Sequence, residues 1–153
     1  MRIALLLLAA LVAGALPLAA GEPGFNEFPI EMTVDARPQP DGAWIVQVNH
    51  RDRMDQAGGK PSPSRVRAYV PPGKEPIRMV LFDLGDTYTC DHRGLQAVAR
   101  AERWAIVGCL LRYKRGTELY QAAMAEVAKR TGHPELEQAL VIPFGFSRNG
   151  SRG

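Results

Sequence analysis

The sequence predicts an α/β fold on a mixed sheet: an N-terminal antiparallel hairpin, then a parallel β-α-β-α-β run. Three observations predict it. Polar and apolar residues alternate in Glu31–Ala36, the period of a half-buried strand, and Trp44–Val48 is β-branched and aromatic. Ile77–Phe82 and Trp104–Leu110 are short, nearly continuous apolar runs, as in strands covered on both faces. Between and after these runs the apolar period changes to three and four residues, the spacing of helices that join parallel strands.

Taken in order, Gly21–Pro29 is polar and turn-rich and reads as an extended arm. Pro38-Gln39-Pro40-Asp41-Gly42 is turn chemistry between these two strand patterns, so the pair is expected to form a hairpin. Arg51–Ser64 is polar, with Gly58-Gly59 and two prolines, and is expected to be a surface loop. Arg65–Val70 alternates again, and Pro71-Pro72-Gly73-Lys74-Glu75-Pro76 ends it. After the buried strand Ile77–Phe82, Asp91 is the expected N-cap of a helix with Leu95, Val98 and Ala99 inward. The second buried strand follows. Thr117–Thr131 then places Leu119, Tyr120, Ala123, Met124 and Val127 on one helical face, stopped by Gly132. His133-Pro134-Glu135-Leu136-Glu137 gives a short helical turn with His133 at its start. Leu140–Phe144 is the last strand, and it runs into Gly145-Phe146-Ser147-Arg148-Asn149-Gly150.

The chain has 153 residues, 46% hydrophobic and 23% charged, with a formal net charge of +3, which fits one ordinary globular domain. Basic residues are scattered among acids, as in Arg100-Ala101-Glu102-Arg103, with no Lys/Arg block and no interleaved aromatics. That pattern argues against a nucleic-acid partner.

Arg2, the unbroken apolar run Ile3–Leu16, Pro17 and the small residues Ala19-Ala20-Gly21 form the three-part pattern of a secretory signal peptide. As a helix the run is about 21 Å long, against about 30 Å of hydrocarbon, so cleavage near 20–21 is expected rather than a spanning anchor. The expected division is residues 1–21 as leader and 22–153 as one secreted or periplasmic domain, free of the membrane after cleavage. Export makes a disulfide between Cys90 and Cys109 the expected state, since one follows a parallel strand and the other ends the next. A zinc site from Cys90, His92 and Cys109 has no C-x-x-C pair and no clear fourth ligand, so no metal and no cofactor is expected.

A serine after a buried strand, with glycine two residues before it, is the pattern of a nucleophile elbow, in which small residues let strand and helix backbones pass closely. Here Gly145 precedes Ser147 by two, Asn149 follows by two, and Gly150 comes one later. The order of three features resembles the α/β-hydrolase family over roughly residues 31–150. These are Tyr69-Val70-Pro71-Pro72-Gly73-Lys74 before an apolar strand, Thr131-Gly132-His133-Pro134-Glu135-Leu136 before the serine strand, and the Ser147 turn. Within the family the chain is most similar to secreted bacterial esterases related to polyhydroxyalkanoate depolymerases and feruloyl esterases.

The resemblance implies a partial α/β-hydrolase fold with Ser147 as nucleophile. The Arg148 amide would be one oxyanion donor, and the Leu84-Gly85-Asp86-Thr87 loop would supply the second through the amides of Gly85 and Asp86. The family orders its triad Ser, then Asp or Glu, then His, whereas His50, His92 and His133 all precede Ser147. The reading is therefore a truncated secreted serine esterase. Carboxylic-ester hydrolysis belongs to the full-length relative, and this chain is expected to lack triad-level activity. An apolar final strand left at the sheet edge is expected to fray and to self-associate.

Two other readings belong to different classes. One is a secreted non-catalytic binding or orphan protein. The other rests on Val80-Leu81-Phe82-Asp83-Leu84-Gly85-Asp86-Thr87, which resembles the first motif of haloacid-dehalogenase-type phosphatases with Asp83 as nucleophile, although Gly85 stands where that motif has its second aspartate. His92 is expected on the surface of the first helical turn, and Trp44 and Trp104 are expected in packing.

Overall fold

A computed structural model describes residues 31–51, 64–111 and 116–144. The leader, Ser147 and Arg148 lie outside the described residues. The elements are strands β1 Glu31–Pro38, β2 Trp44–Arg51, β3 Ser64–Val70, β4 Met79–Leu84, β5 Trp104–Leu110 and β6 Val141–Phe144, with helices α1 Arg93–Glu102 and α2 Gly116–Thr131. Short 3₁₀ turns fill Tyr88–Asp91 and Pro134–Glu137. No helix among the described residues is long and apolar enough to cross a membrane.

The six strands form one mixed sheet in the order β1-β2-β3-β5-β4-β6. β1, β2 and β3 are successively antiparallel, and β5 is antiparallel to β3. β4 is parallel to both β5 and β6. The α/β class and the split into antiparallel and parallel parts are as the sequence predicts. The β1–β2 hairpin closes over Gln39–Ala43, where Asp41 Oδ1 accepts from the Ala43 amide at 3.1 Å and Gly42 takes the left-handed φ of 81°. An L-residue with a side chain resists that angle, so the glycine is needed there.

Strand parity divides the interior in two. Val46, Val48, Val66, Val80, Val107 and Cys109 point to one face, against Ala123, Met124, Val127 and Ala128 of α2. Ile45, Tyr69 and Ile106 point to the other, against Cys90 and Ala99. Trp44 packs on the first core and Trp104 on the second, the packing roles expected of them.

Four local expectations change. β4 begins at Met79, because the amides of Ile77 and Arg78 are taken by Glu135 Oε1 and by the Arg103 carbonyl before the ladder starts. His92, not Asp91, caps α1, its Nδ1 accepting from the Leu95 amide at 3.3 Å, while Asp91 pairs with Arg67 at 2.7 Å. Val98 is exposed, since α1 inserts only Ala99 fully into its core. The fourth change is the disulfide. Both cysteines are free and buried, with Cys109 in the α2-side core and Cys90 in the α1-side core. The two positions do approach one end of the sheet, but β5 parity sends Cys109 through the face opposite Cys90.

The final strand is paired along its length with β4, from Val80↔Val141 to Asp83↔Phe144. Leu140, Val141 and Ile142 remain exposed on it, as an edge strand implies.

Candidate functional site

Chain direction sets where a site can form. The chain leaves the carboxyl end of β4 toward α1, on one face of the sheet, and α2, which follows β5, lies on the other. Adjacent parallel strands whose outgoing connections diverge in this way open a crevice outside their carboxyl ends. A cleft of about 420 Å³ lies at that end of the sheet, on the α2 face. Phe82, Leu84 and Val141 form its sheet side, and Leu111, Gly116, Thr117 and Tyr120 its helix side. Phe82 and Tyr120 meet edge to face, with ring centroids 5.2 Å apart and an interplanar angle of 83°. Burial pushes the Tyr120 hydroxyl up to about 12, so at neutral pH it is a proton donor in an apolar wall. β6 ends at this same edge, one residue before Gly145 and three before Ser147.

The loop after β4 is tightly held. Gly85 turns with φ 118° and donates its amide to the Cys109 carbonyl at 2.7 Å. The Gly85 N–H expected to face an oxyanion is therefore engaged in extending the β4–β5 ladder, which leaves Asp86 as the candidate donor in this loop. The Asp86 carboxylate is turned back on its own loop, Oδ1 accepting from the Tyr88 amide at 2.7 Å. The loop backbone lies directly on Gly108: a Cβ there would stand 2.8 Å from Thr87 Cα. The glycine inside an apolar strand is the sequence signal for that approach.

Asp83 is buried at the end of β4, where Thr89 Oγ1 donates to Oδ2 and Oδ1 has no partner among the described residues. No group of three or more His, Cys, Asp or Glu side chains placed to hold a metal occurs among the described residues. The phosphatase reading needs carboxylates gathered around a cation beside Asp83, and the nearer chemistry is a hydroxyl latch. The same finding removes the Cys90–His92–Cys109 grouping, whose thiols face opposite cores.

None of the three histidines lines the cleft. His133 belongs to the opposite edge of the sheet, its Nδ1 2.8 Å from Glu135 Oε1 and its Nε2 3.2 Å from the Gly73 carbonyl. It introduces the Pro134 turn, as the sequence predicts. His92 is occupied in capping α1. His50 is buried in β2 between Met32 and Ser64, with neither ring nitrogen hydrogen-bonded among the described residues. Burial pushes it down to about 4.

No family model matches this sequence, and no curated protein matches it. Among solved structures, an acetyl xylan esterase from Paenibacillus sp. R4 is similar, with 13% identity and a TM-score of 0.49 over 82% of this chain and 49% of that one. The chain thus spans about half the length of the esterase it matches.

Proposed function

We propose that this chain carries the nucleophile side of a serine ester hydrolase, with Ser147 as the attacking residue. The observation that carries the reading is the apolar cleft on the α2 face at the carboxyl ends of β4 and β5, beside which β6 ends at Phe144, three residues before Ser147 in the sequence. Its support is topological and chemical. An ester needs an apolar recess for its acyl or alcohol group and few charges near the carbonyl.

In this reading Ser147 Oγ adds to the ester carbonyl carbon and gives its proton to a base. The carbonyl oxygen becomes an oxyanion facing the amides of Arg148 and Asp86. The alcohol leaves with the proton, and water then releases the acid from the acyl-serine. The Asp86 carboxylate, held on the Tyr88 amide, is kept from opposing the oxyanion. The base comes from outside the cleft lining, which contains no histidine. The signal-type leader supports an exported protein, and an ester is the proposed partner.

The test supplies the base from solution. Hydrolysis of 4-nitrophenyl butyrate is followed with the purified chain in imidazole buffer, after subtracting the rate of imidazole alone. An imidazole-dependent increment that disappears in Ser147→Ala is the expected result. An increment that survives the substitution, or none at all, overturns the assignment.

A further inference from the structure

A second recess opens on the other face of the sheet. It holds about 490 Å³ between the polar side of β1–β2–β3 and the start of α1. Three arginines from three elements line it: Arg37 of β1, Arg67 of β3 and Arg93 of α1. Two carboxylates answer two of them. Asp35 holds Arg37 at 2.6 Å, and Asp91 holds Arg67 at 2.7 Å. Arg93 has no hydrogen-bond or ion-pair partner among the described residues, so the recess carries one cation in excess.

The groups are also prearranged. Arg67 is fixed from two sides, Nη1 donating to Gln47 Oε1 at 3.1 Å and Nη2 to Asp91, and its buried Nε has no partner. Gln96 donates to the Cys90 carbonyl at 2.8 Å, which holds its amide against the recess wall. Ile45, 9% exposed, is the apolar floor. Planar polar groups already locked by mutual bonds lose little entropy on binding, and a fork of guanidinium donors matches a carboxylate. A lining with so many amides and so little apolar surface suits a ligand covered in hydroxyls.

We infer that this recess binds a small hydroxylated monocarboxylate, its carboxylate between Arg67 and Arg93 and its hydroxyls on the Gln47 and Gln96 amides. A free inorganic oxoanion shares the charge but not the hydroxyls, so the two separate by experiment. The inference stands apart from the ester-hydrolase reading, because the recess lies on the α1 face and the apolar cleft on the α2 face.

The test is a titration of the full ¹⁵N-labelled chain at fixed ionic strength with gluconate, propionate, inorganic phosphate and chloride, repeated on Arg93→Glu and Gln96→Leu. Arg93 is exposed on α1 and Gln96 half-buried there, and thermal midpoints check that both variants fold. Gluconate is expected to shift the amides of Gln47, Arg67 and Gln96 saturably. Arg93→Glu should weaken it about tenfold or more, and Gln96→Leu should bring gluconate toward propionate. Three results would overturn the inference: no saturable shift with gluconate, equal shifts from phosphate or chloride, and gluconate binding that Arg93→Glu leaves unchanged.

Discussion

Thr87 rests on the bare α-carbon of Gly108: its Cα is 2.8 Å from the point where a Cβ on that glycine would stand. The contact seats the β4–α1 loop on the sheet and with it Asp86, the remaining oxyanion candidate. Backbone cannot rotate out of the way as a side chain can, so the loop has to lift if Gly108 gains a methyl. Gly108→Ala is expected to destabilise the fold by about 1–3 kcal/mol, the usual range for overpacking. It is also expected to lower any Ser147-dependent ester turnover by more than the stability loss explains. Urea unfolding and the imidazole-assisted assay measure the two effects on one sample. A wild-type midpoint would show that the loop does not depend on this contact.

His50 is expected to make the protein acid-sensitive. Its folded state favours the neutral ring, at about 4 against an ordinary 6.5. The unfolded chain therefore binds more protons between those values. The stabilisation from this group is complete above pH 7 and is lost as pH falls from about 6.5 toward 4. The loss is on the order of 2 kcal/mol. His50→Leu should flatten urea midpoints across that window while leaving the neutral value near wild type. An unchanged slope would assign the acid sensitivity to other groups.

Cys90 and Cys109 are expected to stay reduced and inert. Burial raises both thiols, Cys90 to about 12 and Cys109 higher still, and the Cys90 thiol donates to the Arg67 carbonyl at 3.0 Å. Thiolate is the reactive form, so neither should react with Ellman's reagent in the native state. Both should react after denaturation, and reductant should leave the thermal midpoint unchanged. A mass lower by two hydrogens in the non-reduced protein would contradict the two-sided placement.

Glu135 ties the turn after α2 to the segment before β4. Its Oε1 accepts from the Ile77 amide at 2.8 Å and lies 2.8 Å from His133 Nδ1. Burial would raise its carboxyl, but the Ile77 amide and His133 outweigh that and hold it below the ordinary value. Its contribution is present above the usual carboxylate range and is lost as pH falls below it. Glu135→Ala is expected to cost on the order of 2 kcal/mol at neutral pH, as for hydrogen bonds to a charged group. A double-mutant cycle with His133→Ala should show coupling of about 1 kcal/mol. Additive losses would mean the two side chains act separately.

Pro143 sits where an edge strand tolerates proline. Val80 donates its amide to the Leu140 carbonyl, so residues 140, 142 and 144 of the edge strand face β4. Residues 141 and 143 face outward, and the ring of Pro143 removes a donor from the open side. Pro143→Val restores that donor beside exposed Val141 and Ile142. It is expected to increase self-association over wild type in sedimentation experiments. Equal sedimentation of the two proteins would show that the edge does not govern association.

Much of this architecture is legible in the residues because its causes are local. Alternation in Glu31–Ala36, the β-branched and aromatic run Trp44–Val48, the Asp41-Gly42 turn, the α2 stripe and the Gly132 stop each depend on neighbours a few positions away. Their elements form where expected. Boundaries shift where distant groups compete for the backbone, as Glu135 and Arg103 do for the amides of Ile77 and Arg78.

The sequence by itself determined the α/β class, the hairpin and the two helices, because hydrophobic period and turn chemistry act within a few residues. Only the tertiary structure decided that β5 inserts between β3 and β4, since strand order depends on contacts between residues far apart in the chain. That insertion, with the parity of β5, sends Cys109 and Cys90 into opposite cores. It also engages the Gly85 amide with Cys109 and brings Thr87 onto Gly108. The meeting of Arg37, Arg67 and Arg93 on one face is likewise decided there, because they come from two strands and a helix whose side chains share no local pattern.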